Sequence, residues 1–205
     1  MKRTINFTAA FTLAVCSSVT SAGAATEAGV FAARGIGAQV CTNVVNATTD
    51  DQRAALRAEL ATWIAGYMSA VNRTTDKTFD AVPVQNLLAL AELTRNVCAN
   101  NPDKLVENVF SAVVDGFAEF AINDVSDMTT MKSEKYQVTV RQETLLEVQT
   151  YLAANGLLEA KFVDGEFGPK TSAVLKAFQA KRKITETGLP DAMTLFLISE
   201  ALKGN

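Results

Sequence analysis

The chain has 205 residues and a mass of 21.9 kDa, room for one generous domain or two small ones. It is 48% hydrophobic and 20% charged, with a formal net charge of −3 and a mean hydropathy of +0.12, values that exclude a disordered chain and a multi-span membrane protein. It contains no histidine, so Ser-His-Asp and Cys-His catalysis and imidazole-based zinc sites are excluded within it.

Residues 1–24 read as a secretory signal. Lys2 and Arg3 form a positive start, Ile5 to Val15 a short apolar and small-residue core, and Ser21-Ala22-Gly23-Ala24 an Ala-x-Ala cleavage site, placed after Ala24. Leu13-Ala14-Val15-Cys16 has the outline of a lipoprotein signal, but Val15 stands where that motif wants a small residue, so Cys16 is expected to leave with the signal. Cleavage leaves two cysteines, Cys41 and Cys98, and an exported protein with two cysteines is expected to join them as a disulfide. The location expected is the periplasm. The mature chain carries 17 basic and 22 acidic residues without a basic stripe, so neither nucleic acid nor an anionic membrane surface is an expected partner. No later stretch is long and apolar enough for an integral membrane span.

From about residue 25 to 122 the pattern is helical. Thr49 with Gln52 makes a capping-box start, and Leu56, Leu60, Trp63, Ile64, Tyr67 and Val71 recur at threes and fours as one buried stripe. A second helix is predicted from Val84 to Cys98. A third is predicted from Asn101-Pro102, with Pro102 at its first position and apolar residues from Leu105 to Phe117. Residues 123–137 are polar and lack helical periodicity, which reads as a flexible linker.

From 138 onward the pattern is compact. Leu145, Val148, Leu152 and Leu157 form a helical face ending at Asn155-Gly156, a left-handed stop. Asp164-Gly165 is a turn, Gly168-Pro169 opens a helix with Val174, Leu175 and Phe178 inward, Thr187-Gly188-Leu189-Pro190-Asp191 turns again, and Leu195 to Leu202 makes the last helix. The expected architecture is all-α: a signal over 1–24, a disulfide-stapled helical domain over 25–122, a linker over 123–137 and a three-helix domain over 138–205.

The last region carries several short motifs in order. They are Val148-Gln149-x-x-Leu152, Asn155-Gly156-Leu157, Val163-Asp164-Gly165-Glu166-Phe167-Gly168-Pro169-Lys170-Thr171, Ala173-Val174 with Phe178-Gln179, and Thr187-Gly188-x-x-Asp191-x-x-Thr194. In these it resembles the peptidoglycan-binding-like domain appended to many bacterial cell-wall proteins. The resemblance implies peptidoglycan as ligand, met by the loops around Asp164–Thr171 and Thr187–Asp191, with Asp164, Phe167, Thr171 and Asp191 as candidate binding residues. Most of the signature reads as architecture: Gly165 and Gly168 permit unusual backbone angles, Asp164 and Thr171 can satisfy turn backbone, and Phe167 and Phe178 read as core.

The first region, through Cys41, Trp63-Ile64-x-Gly66-Tyr67, Asn72 and Cys98-x-x-Asn101-Pro102, is similar to the immunity proteins that protect bacteria from type VI-secreted cell-wall amidases, and to periplasmic acid-stress chaperones of the Hde type. The resemblance implies a protein partner, with Trp63 and Tyr67 as candidate contacts; by residue type Trp63 and Tyr67, one turn apart, with Gly66 letting another helix approach closely, read as a packed helix interface. Carboxylate pairs such as Asp50-Asp51 or Asp76 and Asp80 sit among cap and loop signals and read as solvated surface charge. Gly35-Ile36-Gly37 is only a fragment of a phosphate loop. The expectation is therefore a non-enzymatic protein without cofactor or metal that binds peptidoglycan through one end and a protein through the other. An immunity protein and an acid-stress chaperone are the alternatives.

Overall fold

The computed structural model describes residues 31–133 and 135–203; the expected signal segment 1–24, Cys16 included, lies outside them. In chain order the elements are α1 (Cys41–Val45), α2 (Asp50–Thr74), α3 (Leu87–Ala99), α4 (Val106–Gly116), the strands β1 (Met128–Ser133) and β2 (Tyr136–Arg141), then α5 (Gln142–Ala154), α6 (Pro169–Arg182) and α7 (Ala192–Lys203).

Helix α2 starts as its capping box dictates. Thr49 accepts from the Gln52 backbone N–H, and the Gln52 side chain accepts in return from the Thr49 N–H. Its stripe buries Leu60, Ala61, Ile64 and Met68, with Trp63 and Tyr67 partly covered beside them. Helix α3 packs along α2 and is tied to α1 in two ways. Cys41 and Cys98 form a disulfide with Cα atoms 5.0 Å apart. The buried Arg95 donates through Nε to the Val44 carbonyl at 2.9 Å and pairs with Glu92. A buried guanidinium needs such partners to offset its desolvation.

Trp63 explains the Gly35-Ile36-Gly37 run. The 3-10 turn Gly35–Ala38 lies on the indole so closely that a Cβ on Gly37 would stand 2.3 Å from its Cζ2. The glycine serves close packing. Gly37→Ala must displace the indole from its contacts with Tyr67 and Phe110, whose ring centroids lie 5.1 and 5.8 Å away. A loss of about 2 kcal/mol is expected, read as a fall of about 5 °C in melting temperature with little change in far-ultraviolet helicity.

Several boundaries differ from expectation. Helix α3 begins at Leu87 rather than Val84, because the Asn86 carboxamide oxygen caps it, accepting from Leu88 and Ala89 N–H at 3.0 and 3.2 Å. Helix α4 begins at Val106, so Pro102 is not at a helical first position. Residues 102–106 are used instead to hold the start of α1 and the residue two before it: Cys41 N–H donates to Lys104, Thr42 N–H to Pro102, and Val106 N–H to Gln39. Gly66 is exposed with nothing within 4 Å of a Cβ placed there, so no helix among the described residues approaches it. Leu157 is 48% exposed, and Leu158 takes the buried place beyond the left-handed Gly156.

The largest difference is at 123–137, expected as a flexible linker. Most of it belongs to an antiparallel hairpin in which Met128 pairs with Arg141 and Met131 with Val138. Met131 and Val140 point into the core, and Thr130 and Thr139 hydrogen-bond across the strands at 2.9 Å. Arg141 fastens the hairpin outward, donating to the Ser126 carbonyl and stacking over Phe79 at 4.6 Å. Residues 33–205 accordingly form one compact unit. Helix α4 and helix α7 meet directly: Phe117 and Phe196 pack edge to face at 5.5 Å, Gly116 admits the Phe196 ring, and Lys203 donates to the Asp115 carbonyl.

Candidate functional site

Two turns in the C-terminal part are built the same way, each around a wholly buried glutamine. Gln149 of α5 accepts at Oε1 from the Gly165 N–H at 2.7 Å and the Asp164 N–H at 3.2 Å. Its Nε2 reaches the Glu166 carbonyl at 2.8 Å, Asp164 Oδ1 at 3.1 Å and Thr171 Oγ1 at 3.4 Å. Gln179 of α6 repeats this against the next turn. It accepts from the Gly188 N–H at 2.8 Å, and its Nε2 reaches Thr187 Oγ1, the Leu189 carbonyl and Thr194 Oγ1, each at 2.9 Å. Gly165 and Gly188 both have positive φ, +73° and +69°, which places the turn N–H groups toward the glutamine and favours glycine there. A carboxamide offers an acceptor and a two-proton donor on one planar group, which suits a turn presenting N–H and C=O side by side.

Asp191 completes the second turn. Its Oδ1 accepts from the Thr194 N–H at 2.9 Å and the Thr194 hydroxyl at 2.8 Å, and its Oδ2 from the Thr187 hydroxyl at 2.6 Å. It is the N-cap of α7. Asp164 Oδ1 likewise accepts from the Glu166 N–H at 2.9 Å, and Thr171 is buried beneath its turn. The polar groups of the signature are thus largely committed to holding the turns.

The four candidate binding residues do not meet at one place. Asp164, Phe167 and Thr171 line a small notch of about 140 Å³ with Phe162, Pro169 and Lys170. Asp191 borders three adjoining cavities of about 350, 420 and 460 Å³ on another face. These run between α3, the hairpin and the turn before α7. Gln85, Asn86, Gln137 and Leu195 line the first, Leu88, Glu92 and Asn96 the second, and Tyr136, Lys183 and Thr187 the third. Gln149 and Gln179 stand in the sequence motifs, but the motifs alone assign them no role. The signal for them was the doubled spacing of glycine and threonine after each glutamine, Gly165 to Thr171 and Gly188 to Thr194. The amides of α3 and the hairpin carried no signal, because their relation to Asp191 is tertiary.

Trp63 and Tyr67 are partly buried. Tyr67 packs edge-on to Phe110 at 5.1 Å, and its hydroxyl donates to Glu107 at 3.4 Å. Burial raises the Tyr67 pKa, and burial also raises that of Glu107, against the lowering effect of the tyrosine hydrogen bond. Asp80, one of the carboxylates weighed above, binds Asn72 at 3.2 Å and Gln85 at 3.3 Å and shapes the loop before α3. Among the described residues no group of three or more Cys, Asp and Glu is placed to hold a metal ion.

Glu147 of α5 has the largest resolved shift. Burial pushes its carboxyl up to about 7, and the like charges of Glu143 and Glu119 add to this. The folded chain therefore keeps a proton that the unfolded chain releases, and stability falls as pH rises from about 4.5 to about 7. Glu147→Gln is expected to stabilise by about 2 kcal/mol at pH 8, after allowance for partial solvation, and to have no effect near pH 4. Thermal melts at the two pH values check this.

Paired helix–turn units, each locked by a buried glutamine, define a small helical module. Residues 141–197 match the family model "Putative peptidoglycan binding domain", and this C-terminal segment is a domain of that peptidoglycan-binding type. No curated protein and no solved structure matches the chain.

Proposed function

We propose that this chain is a non-enzymatic, cell-wall-associated protein of the bacterial envelope that holds peptidoglycan through its C-terminal domain. The observation that carries the reading is the family match over 141–197, on a segment whose two signature turns are fully formed. The buried Cys41–Cys98 disulfide fits an oxidising compartment outside the cytoplasm. Among the described residues no helix is long and apolar enough to cross a membrane.

In this reading the N-terminal half serves a protein partner. The partial exposure of Trp63 and Tyr67 supports that role, although their main contacts are internal. The acid-stress alternative finds the opposite support. Glu147 and Glu107 both have raised pKa values, so acid removes unfavourable charge from the fold at these positions.

The test is co-sedimentation of the purified, oxidised chain with intact peptidoglycan sacculi. The chain is expected in the pellet at micromolar concentration and in the supernatant without sacculi. A chain that stays in the supernatant in both cases overturns the reading.

A further inference from the structure

We infer that the groove between α3, the hairpin and the Thr187–Met193 turn binds the glycan strand of peptidoglycan, so that the N-terminal half contributes directly to wall recognition. This rests on the peptidoglycan reading above and assigns its contact surface to residues outside the family match.

The argument begins with hydrogen-bonding capacity. Asp191, Thr187, Thr194 and Gln179 satisfy one another inside the second turn, which leaves them little to offer a ligand. The amides facing them differ. Among the described residues the side chains of Asn96 and Gln137 make no intramolecular hydrogen bond, and both are exposed. Asn86 uses its oxygen as a helix cap and Gln85 its nitrogen on Asp80, which leaves the nitrogen of the first and the oxygen of the second unengaged on residues that line the groove. Recognition therefore falls on the amides of the N-terminal half and the hairpin.

The chemistry of the lining selects the ligand. Neutral amides stand over an apolar floor of Ala89, Val138, Ala192 and Leu195. That combination suits N-acetylated sugars, whose acetamido and hydroxyl groups need donors and acceptors and whose ring faces and methyls are apolar. A stem peptide would instead require paired cations for its carboxylates. Here Arg57 and Lys183 line different cavities, each together with Asp191, so the groove presents no pair of cations. The three cavities share Asp191, with Asn86 and Asn96 marking successive junctions. From Asn86 to Asn96 the helix rises about 15 Å, the reach of an oligosaccharide rather than a single sugar.

The test measures binding of the full oxidised chain to sacculi, with the N-acetylglucosamine tetramer and a free stem tetrapeptide as soluble competitors. Asn96→Ala/Gln137→Ala should weaken binding at least tenfold, the expectation for two lost hydrogen bonds, with an unchanged melting temperature because both side chains are exposed. The tetramer should compete and the peptide should not. Glu166→Ala/Lys170→Ala, beside the small notch, should bind as the wild type does. Wild-type binding with an unaffected Asn96/Gln137 variant, loss at the notch variant alone, or competition by the peptide and not by the sugar would each overturn the groove assignment while sparing the wall-binding reading. Failure of the wild type to pellet overturns both.

Discussion

Replacing Cys41 and Cys98 together by alanine is expected to destabilise the chain by about 4 kcal/mol and lower its melting temperature by roughly 10 °C. The two residues are 57 apart in sequence, so the crosslink closes a long loop in the unfolded chain and removes much of its conformational freedom. The total stability of a domain is typically about 5–15 kcal/mol, so the variant should sit near the edge of folding at 37 °C. Both cysteines are fully buried, so dithiothreitol should reduce the native protein only as fast as the structure around α1 and α3 opens. Urea and thermal unfolding of C41A/C98A beside the oxidised wild type measure the difference. A shift below about 3 °C would show that crosslinking contributes little, against the loop-closure argument.

Gln179→Ala should be comparably severe. It strands the Gly188 N–H and the Leu189 carbonyl in a buried turn and removes the donor that Thr187 and Thr194 share. At about 1–3 kcal/mol for each buried group left unpaired, a loss of about 3–5 kcal/mol is expected. Gln179→Leu restores volume and leaves the same groups unpaired, so it should be no better than alanine. An apolar repacking account predicts the reverse order for the two variants, which makes the comparison decisive. Hydrogen exchange at Gly188 provides a local readout: its protection should fall in both variants, while that of Gly165 in the sister turn should not.

The helices were legible wherever capping and periodicity agreed. Thr49 with Gln52 fixed the start of α2, Gly168-Pro169 the start of α6, and Asn155-Gly156 the end of α5, because each signal is local. Pro102 misled because its segment is claimed by the start of α1, where Thr42, 60 residues away in sequence, donates to the Pro102 carbonyl. The hairpin was missed for a different reason. Residues 123–137 lack a helical period, while Tyr136, Val138 and Val140 alternate with Gln137 and Thr139 in the period of a strand. Within the candidate site, the turns themselves could be read from Asp164-Gly165 and Thr187-Gly188. Their partners could not, since the opposition of Asn86 and Asn96 to Asp191 depends on how α3 and α7 pack.

The hairpin that replaces the expected linker changes what the proposed wall attachment would do to the rest of the molecule. A domain on a loose tether would wander through a volume set by the tether's length, keeping no orientation toward the strand to which its neighbour clings. Here β2 runs straight into α5, and Arg141 at that junction is clamped to Ser126 and Phe79. Under the proposed wall binding, the posture of the C-terminal domain fixes that of the helical half. On an ordered wall, neighbouring copies would present their helical halves in one common orientation.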